Sequence, residues 1–151
     1  MGQIILQEHL SDYKYRYRNK KIAAVCGCFD IFHIGHLEHL ISAKNLCDIL
    51  FVGVNTAESV ILNKNKSPVF DDSQRIRIIK AIECVDYVFL FNEKTFDYSL
   101  SLLRPSIFVR GPYENDNIVP EKYTVEKFGI KVINPCEKKL ASSSMLRKFI
   151  K

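Results

Sequence analysis

Apolar residues in this chain fall into two alternating kinds of run. Short continuous runs occur at Lys21–Cys26 (KIAAVC), Asp48–Val54 (DILFVGV), Tyr87–Phe91 (YVFLF), Ser106–Val109 (SIFV) and Lys131–Ile133 (KVI), each of strand length. Between them apolar residues recur at helical intervals. Ile34, Leu37, Leu40 and Ile41 do so within His33–Asn45, and Ile76, Ile79 and Ile82 within a segment that Asp71 or Asp72 can cap and that runs through Glu83. Residues 7–18 read as an amphipathic lead-in helix. Phe96–Leu103, Glu121–Phe128 and Ser143–Ile150 read as further helices, with Gly129 as the stop after the second of these.

Continuous apolar strands separated by helices are the pattern of a parallel sheet covered on both faces and connected by right-handed crossovers. The expected fold is therefore α/β, a Rossmann-like doubly wound domain with a five-stranded parallel sheet. Residues 1–20 are the lead-in and residues 21–151 the single domain. Ligands in such folds bind beyond the carboxyl ends of the strands, where the strand order reverses, and the first strand borders that crevice. The segment after the first strand, Gly27–His36 (GCFDIFHIGH), occupies that place. The polar, lysine-bearing stretch Asn55–Phe70 is expected to hang over the same edge, with Asn63–Lys66 as a mobile lid.

Composition narrows the function. The chain has 151 residues, 47% hydrophobic and 26% charged, as expected for one globular domain rather than a disordered or fibrous chain. A net charge of +5 without any polybasic block favours a small polyanionic ligand over nucleic acid. No run approaches the roughly 18 apolar residues of a membrane span, and the N-terminus lacks a signal-type apolar core, so a cytoplasmic location is expected. Five cysteines (Cys26, Cys28, Cys47, Cys84, Cys136) without repeating spacing suit reduced, mostly buried thiols. Cys26, Cys28, His33 and His36 together offer four zinc-type ligands. The Cys-x-Cys spacing is tighter than zinc sites use and Cys28 heads a Phe-Asp turn, so no metal ligand is assigned.

The histidine pair has a more economical explanation. A helix starting near His33 has unpaired first amides and a positive dipole end facing the crevice, an anion site before any side chain is counted. Gly27 permits a sharp turn and close approach of a ligand to the backbone of Cys28 and Phe29. His33 and His36, three apart, share a helix face and can donate ring N–H groups to neighbouring phosphates, with Gly35 keeping the space between them clear. The alternative for either residue alone is a helix cap or a core histidine. Asp30 closes the turn and is a candidate substrate contact. His39 falls one position off the face, and His9 lies in the lead-in helix; neither receives a role.

GCFDIFHIGH resembles the G-x-F-D-x-x-H-x-G-H signature of the nucleotidylyltransferase superfamily, the cytidylyltransferase-like group with an H-x-G-H motif. The resemblance extends along the chain. Asn55 follows the second strand where that family has its V-N-S/T turn, and Lys64, with Lys66 as its alternate, falls near the mobile-loop lysine. Ser67-Pro68-Val69 is similar to R-P-V, and Arg75 lies in D-D-S-Q-R, which resembles x-x-E-Q-R. Val85-Asp86 resembles V-D, Val109-Arg110-Gly111 resembles V-K-G, and Ser142-Ser143-Ser144 resembles the S-T/S-T/S cap of the last helix. The lead-in helix and FNEKTFDYSLSLLRPSIFVRG are most similar to the adenylyltransferase domain of bifunctional heptose-phosphate enzymes; glycerol-3-phosphate cytidylyltransferases are a more distant match. The chain departs from the family at Gly111-Pro112-Tyr113-Glu114, where Pro112 removes an amide donor.

The resemblance implies transfer of a nucleotidyl group to a phosphorylated small molecule, with pyrophosphate leaving. ATP and a sugar 1-phosphate are the expected substrates, and CTP with glycerol-3-phosphate or another small phosphate the alternative. An ionised acceptor needs no general base, so positioning and charge neutralisation carry the reaction. His33, His36, Lys64 and Arg75 are the expected catalytic donors. Gly27, Cys28, Phe29, Gly35, Arg110, Gly111, Ser142, Ser143 and Ser144 are expected to bind nucleotide, and Asp30 and Asn55 the acceptor. Mg2+ would bridge the triphosphate oxygens, and a homodimer is expected. A class I aminoacyl-tRNA synthetase lacks support because there is no K-M-S-K-S loop, and a dehydrogenase because no G-x-G-x-x-G follows a strand. A non-catalytic nucleotide-binding regulator of the same fold stays open.

Overall fold

A computed structural model of the chain describes residues 1–111 and 118–135. In chain order it contains β1 (Gln3–Ile4), a 3-10 turn (Gln7–His9), α1 (Leu10–Arg16), β2 (Ile22–Gly27), α2 (Ile34–Lys44), β3 (Ile49–Asn55) and α3 (Ala57–Lys64). There follow α4 (Asp72–Lys80), β4 (Tyr87–Phe91), α5 (Asp97–Leu103), β5 (Ile107–Val109), α6 (Lys122–Lys127) and β6 (Lys131–Ile133). The sheet order is β1-β4-β3-β2-β5-β6, with every neighbouring pair parallel. All five expected strands are present. The sixth, β1, comes from the lead-in and covers the outer edge of β4; two residues are too few for any periodicity to announce it.

Alternation along the strands builds one apolar layer on each face. Ala24, Phe51, Phe89 and Phe108 point to one side, where Leu10 of α1, Leu100 and Leu103 of α5 and Val125 of α6 cover them. Ala23, Val25, Leu50, Val52 and Val88 point to the other, under Leu40 and Ala43 of α2 and Ile76 and Ile79 of α4. The lead-in therefore belongs to the same core as the rest of the sheet: Leu10 is completely buried and Ile5 nearly so. Winding proceeds from β2 outward through β3 and β4, then returns to β5 on the other side of β2. The strand order thus reverses between β2 and β5, and their carboxyl ends define the crevice.

Two expectations change in detail. The Asn55–Phe70 stretch is not an open excursion, since α3 occupies half of it. Thr56 caps that helix by accepting from Ser59 N at 3.2 Å, and Asn65 ends it in the left-handed conformation at φ 54°. Asn63 is tied down too, donating to Ser59 O and Lys94 O. Helix α4 stops at Lys80 instead of Glu83, because the chain turns tightly through Ile82 and Val85 to enter β4.

Gly53 lies in the middle of β3, where a Cβ would fall 2.5 Å from Phe96 Cε1 and 2.9 Å from its Cζ. Phe96 cannot retreat, being 2% exposed, stacked with Phe89 and Phe108 and edge-on to Phe91. Gly53→Ala is expected to cost about 2 kcal/mol through overpacking. A thermal melt should show this as a drop of roughly 4–8 °C.

Candidate active site

The β2–α2 turn is built under strain. Phe29 and Ile31 both adopt positive φ, 52° and 47°, a conformation costing L-residues about 1–2 kcal/mol each and least expected of β-branched Ile31. The turn persists because its neighbours hold it. Between the two strained residues, Asp30 is 2% exposed, and its carboxylate accepts from Val69 N at 2.8 Å and Phe70 N at 2.9 Å. This is the task the structure gives Asp30: it clasps the α3–α4 connection onto the turn. The sequence suggests a turn-former and a substrate contact for Asp30 but not this clasp, because the partner amides are 39 and 40 positions away.

Arg75 completes the clasp. Its guanidinium is fully buried and donates from Nε to Phe70 O at 3.0 Å, and from Nη1 to Cys28 O at 2.9 Å and Asn55 O at 2.6 Å. Nη2 donates to Asp72 Oδ1 at 2.6 Å, and the same oxygen accepts from Ala57 N at 2.8 Å. Three loops at the carboxyl edge of the sheet therefore meet on one side chain. With these donors committed to protein acceptors, Arg75 acts in this arrangement as a tie between loops rather than as a phosphate donor.

The histidines cap α2 reciprocally. His33, at the N-cap, accepts from Gly35 N through Nδ1 at 3.1 Å, and His36 Nδ1 accepts from His33 N at 3.3 Å. A ring nitrogen that accepts a hydrogen bond carries no proton, so both neutral imidazoles are the Nε2–H tautomer. The rings stack at 3.8 Å and 20°, and His36 also lies against Phe29 and Phe32. Burial, then the fields of His33 and His39, push His36 down to about 3, and burial lowers His33 as well. The pair is thus neutral at physiological pH, with Nε2 protonated on both rings, and lies at the positive end of an eleven-residue helix. The cap reading is met, and the same two bonds leave Nε2 as the protonated nitrogen of each ring, as the donor reading requires.

The remaining predicted residues gather around this turn to different degrees. Lys64 sits exposed in the last turn of α3, and its charge acts on both Cys28 and His36. Lys66 is exposed beyond it. Gly27 ends β2, and Gly35 is buried in the first turn of α2. Burial raises the Cys28 thiol, so it stays protonated at neutral pH. Asn55 donates from Nδ2 to Ser59 Oγ at 2.8 Å. Arg110 is 5% exposed at the end of β5, and Gly111 follows it, its carbonyl accepting from Asn134 Nδ2 at 3.2 Å. Pro112–Glu114, Ser142, Ser143 and Ser144 lie outside the described residues. Asp72, a cap candidate in the sequence, bridges Arg75 and Ala57 instead, and His39, which has no role from its spacing, lies beside Gly111.

Residues 24–149 match the cytidylyltransferase-like family. The chain is 38% identical over 116 residues to the bifunctional protein HldE of Geobacter metallireducens, covering 76% of this chain and 24% of that protein. It is 42% identical over 105 residues to the bifunctional protein HldE of Campylobacter jejuni, covering 69% and 23%. The chain therefore spans about a quarter of the length of these relatives. Among solved structures, a lipopolysaccharide core biosynthesis protein from Thermoplasma volcanium matches with a TM-score of 0.69 and 27% identity, covering 80% of this chain and 99% of that one. A pantoate-beta-alanine ligase from Francisella tularensis, at 15% identity and TM-score 0.69 over 97% of this chain and 73% of that one, shares the fold.

Asparagine isolates the donor function, because its carbonyl can replace Nδ1 as the cap acceptor while the Nε2–H is lost. His33→Asn and His36→Asn are each expected to lower nucleotidyl transfer about 100-fold or more, with the melting temperature within about 2 °C of wild type at pH 7. Acid should act differently on the two proteins. Because the folded state holds His36 neutral far below its unfolded pKa of 6.5, its stabilisation is complete above pH 6.5 and is lost as pH falls toward 3. Denaturant unfolding between pH 6.5 and 4.5 should show His36→Asn losing about 1 kcal/mol per pH unit less than wild type.

Proposed function

Because the chain belongs to the cytidylyltransferase-like family, we propose that it transfers a nucleotidyl group from a nucleoside triphosphate to a phosphorylated small molecule. An acceptor phosphate oxygen forms a bond to the α-phosphorus in line with the departing bridge oxygen, and pyrophosphate leaves. The observation that carries this reading is the neutral, tautomerically fixed His33–His36 pair at the α2 N-terminus. Such a pair suits a reaction in which the nucleophile arrives ionised and the protein supplies donors rather than a base. His33 and His36 donate to the triphosphate from their Nε2–H groups. Lys64 neutralises charge from above, Gly27, Cys28 and Phe29 lay their backbone against it, and Gly35 leaves it room. Arg75 and Asp30 hold the turn in place.

Mg2+ accompanies the triphosphate in this reading. Among the described residues no group of three or more His, Cys, Asp or Glu side chains could hold a metal, and both oxygens of Asp30 already accept amides. The ion would be held by the triphosphate oxygens themselves, as Mg2+ commonly is, and no step is assigned to it. Arg110 and Gly111 are assigned to the nucleoside and Asn55 to the acceptor; the resemblance also assigns the nucleoside to Ser142–Ser144, which lie outside the described residues. Among the described residues no helix is long and apolar enough to cross a membrane; a cytoplasmic location is part of the proposal. A homodimer is part of the proposal.

ATP and a sugar 1-phosphate are the substrates we propose, a heptose 1-phosphate first among them. Support comes from the similarity to heptose-1-phosphate adenylyltransferase domains. Pyrophosphate release should be measured with ATP and CTP against heptose 1-phosphate, other sugar 1-phosphates and glycerol-3-phosphate. At least a tenfold preference for ATP in kcat/KM is expected, since a site built for one base leaves polar groups unpaired with another (about 10-fold or more). A tenfold preference for CTP would overturn the adenylyl assignment and leave the in-line mechanism standing. No release with any pair would overturn the enzyme reading in favour of a nucleotide-binding regulator.

A further inference from the structure

His39 is a buried histidine that the mechanism does not use. It lies one turn beyond His36 and is rotated around α2 toward β5, and it is 7% exposed. A Cβ placed on Gly111 would lie 3.7 Å from both its Cε1 and its Nε2. Gly111 has no Cβ, so that edge of the ring borders the space left over the end of β5, on the β5 side of the crevice where the strand order reverses. Nδ1 is buried and has no hydrogen-bond partner among the described residues.

An unmet polar atom in a core costs about 1–3 kcal/mol, and an unmet N–H donor is rarer in native proteins than an under-satisfied acceptor. The proton is therefore better placed on Nε2, leaving the lone pair at the dry Nδ1 position. Burial drives His39 down to about 4, so the ring is neutral at physiological pH. The outcome is an uncharged N–H donor beside Gly111 at the end of β5, roughly one helical turn along α2 from His36 and about two from His33.

From this juxtaposition we infer that His39 is a specificity-determining residue that donates a hydrogen bond from Nε2 to an uncharged acceptor on the nucleoside part of the bound nucleotide, over Gly111. The inference rests on the nucleotide-site reading above. It assigns the ribose-and-base end to a residue of α2, whereas the phosphates belong to His33 and His36. A neutral donor rewards a ribose or base acceptor. It contributes nothing to a ligand that is phosphate alone.

Calorimetric titration of the full chain with ATP and with inorganic triphosphate, each with Mg2+, tests this on wild type, His39→Leu and His39→Gln. Leucine keeps the volume and removes the unmet nitrogen, so the melting temperature should be unchanged or higher; should it fail to fold, His39→Met carries the same expectation. The apolar variant is expected to bind ATP about five- to tenfold more weakly than wild type, with inorganic triphosphate unaffected. Glutamine, whose amide reaches the Nε2 position, should recover most of the loss. Equal weakening toward both ligands, or wild-type ATP affinity in the apolar variant, would overturn the assignment of His39 alone. Wild-type protein that binds inorganic triphosphate and ATP equally would overturn it as well, and failure of wild type to bind either would instead bring down the nucleotide site.

Discussion

The site depends on the buried guanidinium of Arg75. One planar group with donors in a fixed fork reaches carbonyls of the β2–α2 turn, the end of β3 and the α3–α4 connection, and the carboxylate of Asp72. Asn55 is the last residue of β3 and Cys28 follows the last residue of β2, so two of the three carbonyls lie at the carboxyl edge of the sheet. Removing the group would leave several buried acceptors unmet and cost about 3 kcal/mol or more. Asp30 reinforces the tie from the other direction by holding the amides of Val69 and Phe70.

This tie is what permits a strained turn. Phe29 and Ile31 in left-handed conformations would relax if the chain around Cys28 were free, and His33 would then lose the entry angle that makes it the N-cap of α2. With the turn fixed, capping sets both Nδ1 atoms as acceptors, and burial keeps the rings neutral. The helix then carries two neutral Nε2–H imidazoles at its positive end. Stability and chemistry use the same bonds here: the hydrogen bonds that satisfy the first amides of α2 also choose the tautomer. Under the proposed function, donors preset in this way would lose little reorganisation energy when charge builds on a phosphate.

Much of this was legible in the residues, for identifiable reasons. Five strands were read from KIAAVC, DILFVGV, YVFLF, SIFV and KVI because a parallel sheet buried on both faces needs continuous apolar runs. The histidine pair could be placed because it directly follows the first of them. What stayed hidden was long-range. Arg75 looked like a phosphate donor because a positive charge near an anion site is the simplest assumption, and its three carbonyl partners lie 5, 20 and 47 positions away. Asp30 had partners equally remote. Helix α3 was missed although Thr56 and Asn65 are sound cap signals, because the intervening Val60, Ile61 and Leu62 are not spaced as a single buried face. His39 was set aside for falling off the face of His33 and His36, and that offset is what turns it toward Gly111.

The account stands or falls on the tautomer and charge of the capping pair. Ring 15N chemical shifts of His33 and His36 in the uniformly labelled wild-type protein, followed from pH 7.5 to about pH 5, measure both directly. The account predicts two neutral Nε2–H imidazoles, with His36 unchanged across the range. Nδ1–H tautomers, or protonation of His36 near the ordinary value of 6.5, would contradict it.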